Sequence, residues 1–284
     1  MSFKTKKTIL KIYLFLAIAA CLGFSVWRII LLREHCNPYD MSFEDGALSS
    51  LQAFEYALLA FCALLSSCVI FAGKLEFKLF CKRASTTSVS ICAFCGFMIF
   101  AVGILALIYY GADIFDFYGE ASAAYRVFYI AALAMMFISA LYFLGRASTA
   151  LENSSSIAGL SLALPCFCIA YLGASYFNAD LPLLDFNRVT SEMAFISVLM
   201  FALSEARLAT GRGNYKFRFV ASLICMVCVC SYIVPLLVLV VFWEMNMSLT
   251  TLTEVSLVAV LMYVTFSAFN AIRTLKETEK SEAA

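Results

Sequence analysis

The chain has 284 residues, of which 63% are hydrophobic and only 14% are charged. A soluble domain carries roughly 25% charged residues, so this chain could not cover its own surface with polar groups and lipid must solvate much of it. The net charge of +1 comes without a basic patch interleaved with aromatic residues, which excludes nucleic acid as an expected partner.

Eight apolar segments of about 20 residues follow one another, each long enough to cross a bilayer once as a helix. They lie near residues 9–32, 50–73, 88–110, 125–145, 156–177, 191–209, 219–243 and 252–272. The period-2 alternation of a membrane barrel is missing. The sequence therefore predicts an all-α integral membrane protein, a bundle of eight transmembrane helices forming a single polytopic domain over residues 1–284, with a polar tail at 276–284.

The first segment follows a lysine-rich start and contains Ile18-Ala19-Ala20-Cys21, which is similar to a lipoprotein cleavage site. A cleaved chain would continue into a polar tether, but residues 22–32 stay apolar apart from Arg28. We therefore expect an uncleaved first helix.

The basic residues predict the orientation. If the N-terminus is cytoplasmic, sixteen of the 20 lysines and arginines fall on the cytoplasmic side, and no lysine falls outside. Cytoplasmic loops of membrane proteins carry such an excess. The expected location is the cell (plasma) membrane, with both termini in the cytoplasm. The four basic residues expected towards the outside are Arg28, Arg33, Arg126 and Arg188.

The first predicted loop carries His35, the only histidine of the chain, beside Cys36. We interpret it as a solvated loop histidine rather than a metal ligand. Ten of the 12 cysteines lie inside apolar segments, where a free thiol behaves as a small hydrophobic group.

Two CxxC pairs lie in odd-numbered segments, Cys92 with Cys95 and Cys225 with Cys228. The spacing places both thiols of a pair on one helix face, and four thiolates are a possible zinc or iron–sulfur ligand set. Structural zinc sites usually draw on turns, whereas these pairs lie within continuous apolar segments. We expect no metal and no cofactor.

Three glutamates, Glu55, Glu192 and Glu254, lie near the expected outer starts of even-numbered segments. One hypothesis is a ring of carboxylates at an outer mouth that collects cations. The preferred interpretation is that acids in a first helical turn complement the helix dipole. The segments 49–52 and 251–254 have the spacing of a capping box.

Glu205 is the acid expected to lie deepest in an apolar segment, near the inner end of the sixth. An ionisable group there is costly in lipid and indicates a functional site by default. Arg207 and Arg146 are on the same side, so an interfacial ion pair that joins helix ends is the preferred interpretation, and a proton- or ligand-coupled role is the alternative. Asn270 could add a polar contact.

Proline occurs inside two late segments, at Pro165 and Pro235. Each is predicted to kink its helix. Because the chain has only four prolines and 12 glycines, the extensive helix breaking of ion-coupled carriers is not expected.

The last two hairpins predict a tandem repeat at an offset of 62 residues. Cys166-Phe167-Cys168 aligns with Cys228-Val229-Cys230, and the stretch 191–201 aligns with 253–263 without a gap.

Three hypotheses for function remain open. The first is a non-catalytic bundle that binds a partner protein or an apolar ligand within the bilayer, where the partner could be another membrane protein or a second copy of the chain. The second is a transporter or permease for a small or lipid-like solute. The third, and least favoured, is an intramembrane enzyme, because no positioned titratable pair of the kind that acid–base catalysis needs is evident.

Overall fold

The computed structural model describes residues 3–36, 43, 47–71, 86–115, 122–148, 155–178, 186–210, 214–242 and 249–282. These residues form ten α-helices and one 3-10 helix over Ser155–Leu162. The α-helices are α1 Phe3–His35, α2 Leu48–Ser66, α3 Cys68–Phe71, α4 Thr86–Phe115, α5 Ala123–Ser148, α6 Ala163–Phe177, α7 Phe186–Ala209, α8 Tyr215–Phe242, α9 Leu249–Glu254 and α10 Ser256–Glu282. The described part of the chain holds no strand, only an isolated bridge between Cys36 and Phe43.

Eight helical stretches are long and apolar enough to cross a membrane, which confirms the predicted all-α bundle. They include the continuous helices α1, α4, α5, α7 and α8, while α2 with α3, the 3-10 helix with α6, and α9 with α10 each make up one further span. Helices satisfy every backbone hydrogen bond within the segment, which lipid requires. The loop acids and the loop lysines and arginines between these helices lie outside the described residues.

Several boundaries differ from the sequence prediction. The first helix extends to His35, past the predicted end at residue 32, and α10 continues through Glu282, into the polar tail. The expected capping box at 49–52 is wrong, because α2 begins at Leu48 after an Ala47 cap without a side-chain hydrogen bond. Thr251 likewise lies inside α9 rather than at its start.

Helix α8 lies at the centre of the bundle and packs against α1, α2, α7 and α10. Its span and that of α7 are the most buried of the eight, whereas the α2–α3 span is the least buried. The apolar core runs through all of these helices and includes Phe54, Phe143, Phe195 and Phe201.

Close helix packing on both sides of α5 depends on glycine. On α4, a Cβ at Gly96 would lie 2.7 Å from Leu144 Cγ, and a Cβ at Gly103 would lie 2.9 Å from Phe137 Cζ. On α6, a Cβ at Gly173 would lie 2.5 Å from Phe128 Cδ1. Small residues allow this approach in membrane bundles.

Candidate functional site

Two clusters of buried polar side chains lie inside the bundle. The double-arginine cluster consists of Arg146, Glu205 and Arg218 with Tyr142 and Tyr263. The tyrosine cluster consists of Tyr171 and Tyr232 with Arg28, Asn187, Ser191 and Glu254. They lie towards opposite ends of α8, which contributes Arg218 to the first and Tyr232 to the second.

The double-arginine cluster is built around the Glu205 carboxylate. Arg146 Nη1 lies 3.1 Å from Glu205 Oε2, and Arg218 forms an ion pair with the other carboxylate oxygen. Arg146 Nη1 also donates to the hydroxyls of Tyr142, at 2.9 Å, and Tyr263, at 2.7 Å. One carboxylate therefore joins the ends of α5, α7 and α8, and Tyr263 adds α10.

Sequence reasoning placed Glu205 and Arg146 on one side, and the structure brings them together. The second partner is Arg218, not Arg207. Residues two apart on a helix face in different directions, and Arg207 is exposed while Glu205 is buried. Asn270 is half-buried on α10, two turns beyond Tyr263.

The tyrosine cluster centres on Glu254, the last residue of α9, where a turn at Val255 interrupts the eighth span. Its Oε1 accepts hydrogen bonds from the Tyr171 hydroxyl and the Ser191 hydroxyl, both at 2.7 Å. Tyr232 and Arg28 also lie within electrostatic range of this carboxylate. Glu254 is 6% exposed, so it is part of the bundle interior and not an exposed helix-start acid.

Arg28 enters the same cluster from α1 and is only 2% exposed. Its guanidinium carbon lies 4.6 Å from the ring centroid of Tyr232 and 5.4 Å from that of Phe186. Such stacking stabilises a desolvated cation. Its Nη2 donates to Asn187 Oδ1 at 3.0 Å.

Pro235 explains the remaining contact of Arg28. Proline has no N–H, so it leaves the carbonyl four residues earlier, that of Ser231, without its helical donor. Arg28 Nη1 donates to this carbonyl at 3.4 Å. Cys21 and Ser25 lie on the same face of α1 and donate to the α8 carbonyls of Met226, at 3.4 Å, and Cys230, at 3.1 Å.

Pro165 has a different setting. It is the third residue of α6, directly after the 3-10 helix. Proline is tolerated in a first helical turn because the first four N–H groups have no intrahelical acceptor. Pro165 therefore marks a helix start, whereas Pro235 lies in the interior of α8.

The three glutamates expected at an outer mouth have different surroundings. Glu192 accepts from Arg188 Nε at 2.9 Å and from Ser175 at 3.3 Å. Glu55 is half-buried on α2 and makes no ion pair or hydrogen bond to a described residue. Glu254 alone is enclosed by hydroxyls.

The CxxC thiols have separate neighbours. Cys95 donates to the carbonyl of Ala259 at 3.1 Å, and the Cys228 sulfur lies 3.6 Å from that of Cys62. Cys92 and Cys225 are buried. Among the described side chains, no group of three or more histidine, cysteine or acidic residues is placed to hold a metal ion.

No protein-family model, curated protein or solved structure matches this chain. The fold and its polar interior define the class: a multi-pass, all-α membrane protein with charged groups buried inside the bundle.

Proposed function

We propose that this protein is a non-catalytic membrane bundle that binds an apolar ligand inside the bilayer, and that the tyrosine cluster recognises a polar group of that ligand. The observation that carries the proposal is the side-chain nitrogen of Asn187. This nitrogen is buried and has no hydrogen-bond partner among the described residues, although the Asn187 oxygen accepts from Arg28.

Several helices form the surroundings of this donor. The cluster draws on α1, α6, α7, α8 and α9, and its side chains are already fixed by one another. A buried donor without an acceptor costs about 1–3 kcal/mol. A ligand that places a carbonyl, hydroxyl, carboxylate or phosphate oxygen beside Asn187 removes that cost. The apolar remainder of the ligand would lie among the surrounding helices.

Purification of the full-length protein in a mild detergent, followed by organic extraction and mass spectrometry, tests this proposal. We expect a bound small molecule that is present in the wild type and lost in Asn187→Asp. That change keeps the acceptor for Arg28 but replaces the amide donor by a negative charge that repels an acceptor oxygen.

The matched control is Arg33→Gln, which removes an exposed arginine from the same helix as Arg28 and should keep the ligand. Equal recovery of the molecule from Asn187→Asp would contradict the assignment of the site. If the wild type yields a co-purifying protein and no small molecule, the bundle is a partner-binding protein instead.

Transport of a small or lipid-like solute is the second candidate, and Pro235 favours it. Interior prolines weaken a helix where an alternating-access movement would bend it, and Pro235 lies one turn beyond Ser231, whose carbonyl contacts Arg28. Transport predicts that a water-soluble thiol reagent reaches Cys230 from one side in one state and from the other side in another. Uniform protection of Cys230 in a variant that retains only this cysteine would contradict it.

We also propose that the membrane is the cell (plasma) membrane and that both termini lie in the cytoplasm. The excess of lysine and arginine on one side supports this orientation. We expect that a reporter which works only in the cytoplasm is active when it is fused after Ala284. Activity of a reporter that works only outside the cell would show the opposite orientation.

Besides the lipid bilayer, we propose another membrane protein or a second copy of the chain as a partner. The mass of the purified particle tests this proposal.

The tandem repeat is a further proposal. Its equivalent glutamates, Glu192 and Glu254, both accept a hydroxyl hydrogen bond from α6, the first from Ser175 and the second from Tyr171. Ser175 and Glu192 belong to the same hairpin, whereas Tyr171 and Glu254 belong to different hairpins, so the alignment of 191–201 with 253–263 alone supports the proposed repeat.

A further inference from the structure

Among the described residues, the double-arginine cluster contains more guanidinium groups than carboxylates. Two guanidinium groups share a single carboxylate, that of Glu205. The Nε of Arg218 is buried and has no hydrogen-bond partner among the described residues, although the Arg218 side chain as a whole is 23% exposed. The cluster therefore offers a positive charge and a directed donor close to an accessible surface.

The two arginines of the cluster lie near the ends of their helices. Arg146 is two residues before the end of α5, and Arg218 is three residues after the start of α8, which corresponds to about 3–5 Å from the helix ends at 1.5 Å per residue. Helix α8 has 28 residues and is therefore about 42 Å long. A hydrocarbon core of about 30 Å leaves both of its ends in the headgroup region.

Further basic residues surround the cluster at the same helix ends. Arg207 is exposed on the last turn of α7, and Lys216 lies in the first turn of α8. Glu205 is the only acid between residues 193 and 243. Basic clusters between transmembrane helices attract anionic headgroups, and the planar guanidinium group matches phosphate oxygens in geometry.

We propose that the double-arginine cluster binds the phosphate of an anionic phospholipid, with the Arg218 Nε as a direct donor and Arg207 and Lys216 adding charge. Glu205 holds the two guanidinium groups in place, so the site is formed before the lipid arrives. This site is separate from the tyrosine cluster, because Tyr232 lies 14 residues beyond Arg218 on α8, and its test does not depend on the proposed ligand.

Native mass spectrometry of the full-length protein, titrated with phosphatidylglycerol or phosphatidylcholine of the same acyl chains, tests the proposal. We expect the wild type to retain phosphatidylglycerol preferentially, and we expect Arg218→Gln to reduce that preference by roughly fivefold, the effect of one basic residue near an anionic headgroup. Arg273→Gln, which removes an exposed arginine of α10, should keep the preference.

If Arg218→Gln fails to fold, Arg218→Lys takes its place, because lysine keeps the charge beside Glu205 but has no Nε donor in a planar group. A reduced preference in this variant supports the direct contact, and an unchanged preference overturns it. Equal binding of the two lipids by the wild type overturns the proposal outright. If millimolar inorganic phosphate displaces phosphatidylglycerol from the wild type, the site binds a free anion instead.

Discussion

The two polar clusters solve the same problem, a charge inside a membrane bundle, in opposite ways. In the double-arginine cluster, Glu205 contacts two full positive charges near the helix ends. In the tyrosine cluster, Glu254 receives its hydrogen bonds from the neutral hydroxyls of Tyr171 and Ser191. The first cluster depends on opposite charge, and the second depends on hydrogen bonds that a neutral side chain could also accept.

This difference predicts how each cluster responds to the loss of its carboxylate charge. The largest effect is expected for Glu205→Gln. It removes the carboxylate that Arg146 and Arg218 share, and breaking a buried pair in this way costs roughly 3 kcal/mol or more. Thermal unfolding of the purified protein in detergent measures the loss. The control is Arg207→Gln, which changes an exposed charge two residues away and should leave the unfolding temperature unchanged.

A smaller effect is expected for Glu254→Gln, about 1 kcal/mol, the net contribution of a typical hydrogen bond. The glutamine oxygen can still accept from Tyr171 and Ser191. Glu55→Gln is the control, because Glu55 is half-buried and makes no ion pair to a described residue. If Glu254→Gln destabilises the protein as strongly as Glu205→Gln, the contrast between the clusters is wrong and Glu254 acts mainly as the counter-charge of Arg28.

The hydroxyls around Glu254 should each contribute little alone. Tyr171→Phe and Ser191→Ala are each expected to cost about 0.6 kcal/mol, the average for interhelical hydrogen bonds in a membrane protein. Because both donate to the same oxygen, the double variant should depart from the sum of the single variants. Additive losses would show that the two hydroxyls do not act through the same carboxylate.

The smallest expected effect is that of salt on the stability of the two clusters. Raising sodium chloride to about 1 M shortens the screening length to about 3 Å, so the partly exposed Arg218–Glu205 pair should lose a few tenths of a kcal/mol. Salt should lower the unfolding temperature of the wild type but not that of Glu205→Gln, because in the variant it screens the repulsion between Arg146 and Arg218. An equal salt response in both proteins would place the ion pair outside the reach of solvent.

The sequence was sufficient to predict the eight helices, because a 20-residue apolar run has only one way to satisfy its backbone in lipid. It also placed Glu205 and Arg146 at one end of the bundle. It could not assign Arg28 to the interior, since a single arginine near a helix end is equally compatible with a side chain that reaches the headgroups. Tyr171 and Tyr232 gave no signal among 14 tyrosines.

The partners of Glu205 also show what the sequence could not predict. Proximity in sequence favoured Arg207, but helix geometry turns that residue away, and Arg218 arrives from the next helix across a short connection. Pro235 was recognisable as an interior proline. Its consequence, an α8 carbonyl that accepts from Arg28, depends on how α1 packs and so required the structure.

Helix α8 contributes to both clusters through residues that are 14 positions apart, Arg218 and Tyr232, and fourteen residues is close to four full turns. Both side chains therefore project from the same face of one rigid element. Any tilt or rotation of α8 that adjusts one cluster also displaces the other. If each cluster holds a ligand, the two occupancies are thermodynamically linked, and each ligand must change the affinity for the other by an identical factor.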